Sequence, residues 1–227
     1  MRIMHFDLHI HSVYSRDCRS PIDSILKHAV DIGLDGIAIC DHDTVKGGTV
    51  AEERAKELDL PLIVIPGVEI TTAKGHLIAL GIREEISPKK TVPETIARIR
   101  ELGGVVVVPH PFKRLSHGIG DFADLDVDAV EIFNSRFITG EANRKAERMA
   151  REMEIPAVAG SDAHIVPMIG YAVTEISAER NLQAVLDAIR DGKTRVYGKR
   201  TPIKIFASQM ARGCLRRTKE IVGIEVK

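Results

Sequence analysis

Two stretches of this chain, Ile37-Ala38-Ile39 and Val105-Val106-Val107-Val108, are apolar at every position and too short to be buried helices. A strand without alternation is covered on both faces, a condition met in a parallel sheet layered with helices. The rest of the chain keeps this rhythm, with short β-rich apolar runs alternating with longer amphipathic ones. Strands are predicted over residues 3–10, 36–40, 62–65, 76–81, 105–108, 129–133 and 157–159. Helices are predicted over 22–32, 49–58, 92–102, 141–153 and 182–191, the first opened by Pro21. Strand, helix and strand in succession make βαβ units, and about seven strands in 227 residues suit a parallel α/β barrel, closed or nearly so. No fixed-period repeat, low-complexity tract or linker divides the chain, so residues 1–227 read as one domain.

Composition narrows the class further. With 44% hydrophobic and 28% charged residues the chain can bury a core, which excludes disordered, collagenous and disulfide-scaffold classes. Lys plus Arg and Asp plus Glu are equal at 32 each, so bulk attraction to nucleic acid or an anionic membrane is not indicated. Charge is local instead. Between 193 and 219 stand Lys193, Arg195, Lys199, Arg200, Lys204, Arg212, Arg216, Arg217 and Lys219, with no acidic residue. This basic C-terminal segment reads as a solvated amphipathic helix balancing an acidic body, or as an electrostatic track for nucleic acid. Cys18, Cys40 and Cys214 are spaced like neither a disulfide framework nor a zinc-binding pair and are expected to be reduced thiols. Asp7, His9 and His11 stand where a leader would need its apolar run, and no apolar stretch reaches about 18 residues. A cytoplasmic protein with no membrane partner is expected.

The chemistry gathers at the ends of the predicted strands. In Asp7-Leu8-His9-Ile10-His11 a period of two sends residues 7, 9 and 11 to one face, so two imidazoles leave one strand end side by side, a geometry that suits a metal. The second strand runs into Cys40-Asp41-His42-Asp43 and the third is followed by Gly67-Val68-Glu69. The valine run ends in Pro109-His110-Pro111 and the last strand in Gly160-Ser161-Asp162-Ala163-His164. His76 opens the fourth strand, and the sixth contains Glu131 and leads to Asn134-Ser135-Arg136. In a parallel barrel the carboxyl ends of the strands meet at one mouth, where catalytic groups sit. A structural reading competes at each single position, since Asp41, Asp43 and Asp162 precede helical stretches and could cap them. Coincidence at every strand end is far less natural than a shared rim. His5, His28 and His117 lack this placement and read as structural or surface residues.

These segments resemble the PHP (polymerase and histidinol phosphatase) family of metal-dependent phosphoesterases. The resemblance is carried by Asp-Leu-His-Ile-His-Ser at 7–12, Cys-Asp-His-Asp-Thr at 40–44, Gly-Val-Glu-Ile at 67–70, His76 before its apolar run, Pro-His-Pro at 109–111 and Gly-Ser-Asp-Ala-His at 160–164. It implies a distorted (β/α)7 TIM-like barrel with a cleft for two or three divalent ions, manganese, zinc, iron or magnesium. Position by position, it implies His9, His11, Glu69 and Asp162 around a first ion. Glu69, bridging, with His76 and His110 would hold a second, and Asp17, His42 and His164 a third. One branch of the family has a histidine where Asp17 stands and other branches an acid; a carboxylate there favours manganese, magnesium or iron over a zinc-like ion. Asp7 and Asp41 match no ligand and are expected to accept hydrogen bonds from ligand imidazoles.

Three divalent ions against the carboxylates of Asp17, Glu69 and Asp162 leave a net positive centre that attracts phosphoryl oxygens. The expected reaction is hydrolysis of a phosphate monoester or nucleotide by a metal-bound hydroxide held by His9, His11, Glu69 and Asp162, with no serine or cysteine nucleophile. The leaving-group proton is expected from His42 or a metal-bound water. Arg136, and Arg114 four residues past His110, are expected to hold the phosphate of a small substrate in a fork. Rival readings are a nuclease acting on single-stranded or terminal nucleic acid and an amidohydrolase-type hydrolase of amides and lactones. A non-catalytic module, as PHP domains attached to DNA polymerases can become, sits poorly with an intact ligand set and no polymerase domain.

Overall fold

The computed structural model describes residues 1–113, 117–137 and 139–202. Among them the strands β1 (Arg2–Ile10), β2 (Gly36–Ile39), β3 (Ile63–Thr71), β4 (His76–Leu80), β5 (Val105–Val108), β6 (Ala129–Asn134), β7 (Ala157–Gly160), β8 (Ala172–Ala178) and β9 (Thr194–Gly198) share one sheet. Its order is β7-β6-β5-β4-β3-β2-β1-β8-β9. The helices are α1 (Ile22–Asp31), α2 (Lys46–Glu57), α3 (Val92–Glu101), α4 (Glu141–Glu152) and α5 (Leu182–Arg190). The run from β1 to β7 curls until its ends meet. Just past β7, Ala163 bridges Ile10 in parallel, and the His11 N–H donates to the Ala163 carbonyl at 3.0 Å. β8 flanks β1 antiparallel, and its Thr174 hydroxyl reaches β7, accepting from the Ala159 N–H at 2.8 Å and donating to the Ala159 carbonyl at 3.0 Å. The result is a nearly closed barrel of mixed strands.

Residues from β1 to β8 fill its interior. Met4, Phe6, Leu8, Ile65, Val107 and Val158 form a buried cluster with Val185, Leu186 and Ile189 of α5, which plugs the end of the barrel away from the site. The opposite faces of the strands lie under the remaining helices. Ile37, Ile39 and Val64 pack on Ile25 and Leu26 of α1 and Ala51 of α2, while Leu77, Val106 and Val130 pack on Ile96 and Ile99 of α3 and Ala150 of α4. This double coverage is the reason the β2 and β5 runs are apolar at every position.

The seven strands and five helices expected from the sequence all form, with three departures. β4 runs antiparallel to both β3 and β5, so the barrel is not uniformly parallel. That reversal brings the first residue of β4, His76, to the mouth where its neighbours deliver their last. β3 does not stop at Pro66: it pairs with β2 over residues 63–66 and with β4 over 67–71, and Pro66 stands at the change-over, where a missing N–H interrupts least. β8 and β9 were not expected. β8 alternates, with Ala172, Thr174, Ile176 and Ala178 buried and the residues between them half-buried, the pattern of an antiparallel strand. β9 takes residues 194–198 out of the expected terminal helix, and the rest of that basic segment from 203 onward, with Cys214, lies outside the described residues. No helix among the described residues is long and apolar enough to cross a membrane.

The seam between β1 and β7 depends on Gly160. A Cβ there would collide with the His9 Cβ and lie 2.6 Å from Glu131 Oε1. Gly160→Ala is expected to lower stability in urea unfolding by about 1–3 kcal/mol; an unchanged midpoint would show that the seam tolerates widening.

Candidate metal centre

β1 carries one extra residue against β2, the register passing from Asp7↔Ile37 to Ile10↔Ile39. This bulge breaks the period of two. Leu8 belongs to the barrel interior and Ile10 to the layer beneath α1 and α2, so His9 and His11 turn together into the mouth while Asp7 faces away. The expectation that residues 7, 9 and 11 share a face is corrected accordingly. Asp7 accepts the N–H groups of Ser161 at 2.9 Å, Gly170 at 2.8 Å and His9 at 3.3 Å, and burial pushes its carboxyl up to about 6. Asp41 accepts the Ser12 N–H at 2.6 Å and the Ser12 hydroxyl. Both acids fix backbone and the Ser12 side chain, and neither orients an imidazole. None of Asp41, Asp43 and Asp162 caps a helix: the cap position of α2 is Val45, that of the short turn 166–168 after Asp162 is Ile165, and neither has a side-chain cap.

A second bulge, in β6 between Glu131 and Phe133, supplies what Asp7 does not. Glu131 and Asn134 come to the same side, and Glu131 Oε1 accepts from His9 Nδ1–H at 3.1 Å. Its Oε2 accepts from the His110 N–H and from Asn134 Nδ2, both at 2.9 Å. A proton on His9 Nδ1 leaves the Nε2 lone pair aimed into the mouth. The sequence signal was present, since an acid inside Ala-Val-Glu-Ile-Phe must find donors once buried.

The centre is built around Glu69, which is 1% exposed. Its Oε1 lies 2.7 Å from His76 Nδ1 and 2.8 Å from His110 Nε2. Its Oε2 lies 3.4 Å from His9 Nε2, 3.3 Å from His11 Nε2 and 3.3 Å from His42 Nδ1. Asp162 Oδ1 is 3.6 Å from His11 Nε2 and 3.4 Å from His164 Nδ1. Asp17 Oδ2 is 2.9 Å from His164 Nε2 and 3.5 Å from His42 Nε2. All nine sequence-predicted ligand residues fall into four overlapping groups whose donor atoms lie within 4.8 Å of one another: His9, His11 and Glu69; His9, His110 and Asp162; His42, Glu69 and His76; and His11, Asp17, His42 and His164.

This donor set fits divalent cations. Among the described residues the buried nitrogens His11 Nδ1, His42 Nδ1, His76 Nε2 and His110 Nδ1 have no hydrogen-bond partner, and His9 Nε2 faces His11 Nε2 at 3.1 Å. Buried ring nitrogens and carboxylates so placed are costly without further partners, and a cation would supply them. Among the described residues no thiol joins these groups: Cys18 Sγ instead approaches the His11 and His164 carbonyls at 3.2 and 3.3 Å, and Cys18 and Cys40 are both free and buried.

The electrostatics match. Burial would raise Glu69, but His42, His76 and His9 outweigh it and hold the carboxyl well below the usual range. Burial is likewise overcome at Asp162 by Arg136 and Lys113, and at Asp17 by His164 and His42, so all three acids are ionised. Burial opposes a charge on His11, yet hydrogen bonds from its ring to the Asp162 and Glu69 carboxylates push it up to about 9. Burial, with Arg136 adding to it, takes His164 down to about 4, and burial also lowers His110, leaving those rings neutral and able to donate lone pairs.

Of the expected phosphate-binding residues, Arg136 is at the centre, its Nη1 2.9 Å from Asp162 Oδ1, and Arg114 lies outside the described residues. Lys113, which the sequence did not single out, reaches the other Asp162 oxygen at 3.3 Å. His5 is exposed and 3.9 Å from Asp35 and from Glu175. His117 is exposed as expected, but its ring lies 5.3 Å from that of His76.

A sequence profile of the PHP domain matches residues 7–117, and a PHP-associated profile matches 140–194. An uncharacterized protein of Methanocaldococcus jannaschii is 36% identical over 154 residues, 63% of this chain and 89% of that protein. The 5'-3' exoribonuclease of Escherichia coli is 36% identical over 81 residues, 34% of this chain and 27% of the enzyme. A two-domain protein from Bacteroides vulgatus containing a predicted PHP-like metal-dependent phosphoesterase superposes with a TM-score of 0.75 at 19% identity, over 87% of this chain and 65% of that one, and so shares the fold.

Removing a group that orients a ligand imidazole typically weakens metal binding by about 10–100-fold. Glu131→Ala is expected to weaken manganese binding to this extent in a calorimetric titration, while affinity equal to that of the unaltered protein would remove Glu131 from that role.

Proposed function

The chain belongs to the PHP family, and from that premise we propose that it is a metal-dependent phosphoesterase that hydrolyses phosphate monoesters or nucleotides. The observation that carries this reading is Glu69, a buried carboxylate within 3.4 Å of five imidazoles. We assign His9, His11, Glu69 and Asp162 to one divalent ion, Glu69 with His76 and His110 to a second, and Asp17, His42 and His164 to a third. Residues 1–227 act as one catalytic domain in the cytoplasm. Divalent ions held by the ligand side chains would supply Lewis-acid chemistry, acidifying a water molecule and neutralising phosphoryl charge. Nitrogen and oxygen donors without thiolate suit manganese, iron, zinc or magnesium, and Asp17 tilts the third position toward the harder ions.

The chain's own side chains do the rest. Glu131 keeps His9 in the tautomer whose Nε2 faces the centre. Asp17, at 27% exposed, is the open side of the cluster, whereas His11 and Glu69 are closed off, so substrate approaches past Asp17, His42 and His164. Arg136, 21% exposed beside Asp162, meets the phosphate there and supplies charge-assisted hydrogen bonds. A second reading is a nuclease acting on single-stranded or terminal nucleic acid. It is favoured by the likeness to the Escherichia coli exoribonuclease and by the basic residues between 193 and 219. An amidohydrolase-type reaction on amides or lactones is the third.

A substrate panel with manganese present separates the three. Turnover of phosphate monoesters or nucleotides, with Arg136→Ala raising KM about 10–100-fold, is the expected result. Turnover of lactones or amides alone would contradict it, and oligonucleotide binding that weakens steeply with salt would favour the nuclease.

A further inference from the structure

The corner around Asp162 holds more positive charge than the carboxylate needs. Arg136 Nη1 already pairs with Oδ1 at 2.9 Å, yet Lys113 Nζ also lies 3.3 Å from Oδ2. Two cations thus contact one carboxylate, with Glu131 the further acid near Lys113, before any metal ion takes a share of Asp162. Lys113 is brought there by a turn in which its N–H donates to the His110 carbonyl at 3.1 Å, and its ammonium lies 5.3 Å from the Phe137 ring centroid. The side chain is only 12% exposed. An ammonium has three N–H donors, and among the described residues Asp162 is the hydrogen-bond acceptor found for it. A nearly buried cation with one acceptor is under-satisfied. Arg136 repeats the deficit, since its Nε is buried without a partner among the described residues. The carboxylate itself is 4% exposed, so a solute reaching this corner meets the cations before the acid.

We propose that Lys113 is a second phosphate-binding residue, which together with Arg136 selects a terminal phosphate dianion over a phosphodiester monoanion. The selectivity part rests on the phosphoesterase reading; the binding of phosphate does not. A monoester presents three non-bridging oxygens and about two negative charges at neutral pH, a diester two oxygens and one charge. Oxygens not taken by metal ions go to the donors of Lys113 and the Nε–H of Arg136. The diester lacks the third oxygen and the second charge, so it gains least from the added cation.

The test measures inorganic phosphate binding to the manganese-loaded full chain by calorimetry, together with KM for 4-nitrophenyl phosphate and for bis(4-nitrophenyl) phosphate. Lys113→Met is expected to weaken phosphate binding about tenfold or more and to raise the monoester KM likewise, with the diester KM changed less than about threefold and bound manganese unchanged. Lys113→Arg, which keeps charge and donors, is expected to recover most of the loss. Phosphate affinity unchanged in Lys113→Met, equal losses for both esters, or loss of manganese would each overturn the proposal, the last two by making Lys113 a support for Asp162. If the unaltered protein cleaves neither ester while phosphate binding still depends on Lys113, the phosphoesterase reading fails and the binding assignment stands.

Discussion

A carboxylate sealed from solvent among five imidazoles is the constraint from which the mouth of this barrel follows. Glu69 is ionised and buried, and its neighbours His9, His11, His42, His76 and His110 come from four strands, β1, β2, β4 and β5, or the turns after them. A buried anion is tolerated only when opposite charge and donors surround it. Imidazole groups close to its oxygens provide part of that compensation, and divalent cations would provide it more completely while also engaging the ring nitrogens that have no partner among the described residues.

Delivering so many side chains to one carboxylate requires departures from regular strand geometry. The β1 bulge turns His9 and His11 inward together, and the β6 bulge does the same for Glu131 and Asn134. The reversed direction of β4 presents His76 from a strand start. Three of the seven non-glycine residues with positive φ among the described residues stand on the same rim: Asp43, His110 and Asp162, at 57°, 31° and 53°. Each such residue costs about 1–3 kcal/mol and persists because its surroundings fix it, as the Glu131 carboxylate does for the His110 N–H at 2.9 Å. The apolar interior plugged by α5 and the helix layers outside the sheet offset that cost.

Much of this was legible in the residue pattern. Continuous apolar runs mark strands covered on both faces, and the polar residues that follow them mark the mouth, which is why His9, His11, His42, His110, Asp162 and His164 could be named from spacing. The remainder depends on geometry that spacing does not carry. Whether Asp7 shares a face with His9 is decided by one inserted residue in the pairing with β2, and period-two reasoning cannot see it. Pro66 reads as a strand end although it marks a change of partner. β8 alternates in a chain whose other strands are mostly continuous, so its residues 172–178 carry no unbroken apolar run to mark a strand. Lys113 has no sequence mark at all, because its role is set by a turn that folds it back toward Asp162.

Anomalous scattering from crystals of the manganese-loaded protein tests the central claim most directly. The account predicts peaks among the side chains around Glu69, at about 2.0–2.3 Å from its oxygens and from ring nitrogens of His9, His11, His76 and His110. Crystals with no peak between Glu69 and these nitrogens, or with manganese only elsewhere on the protein, would contradict it.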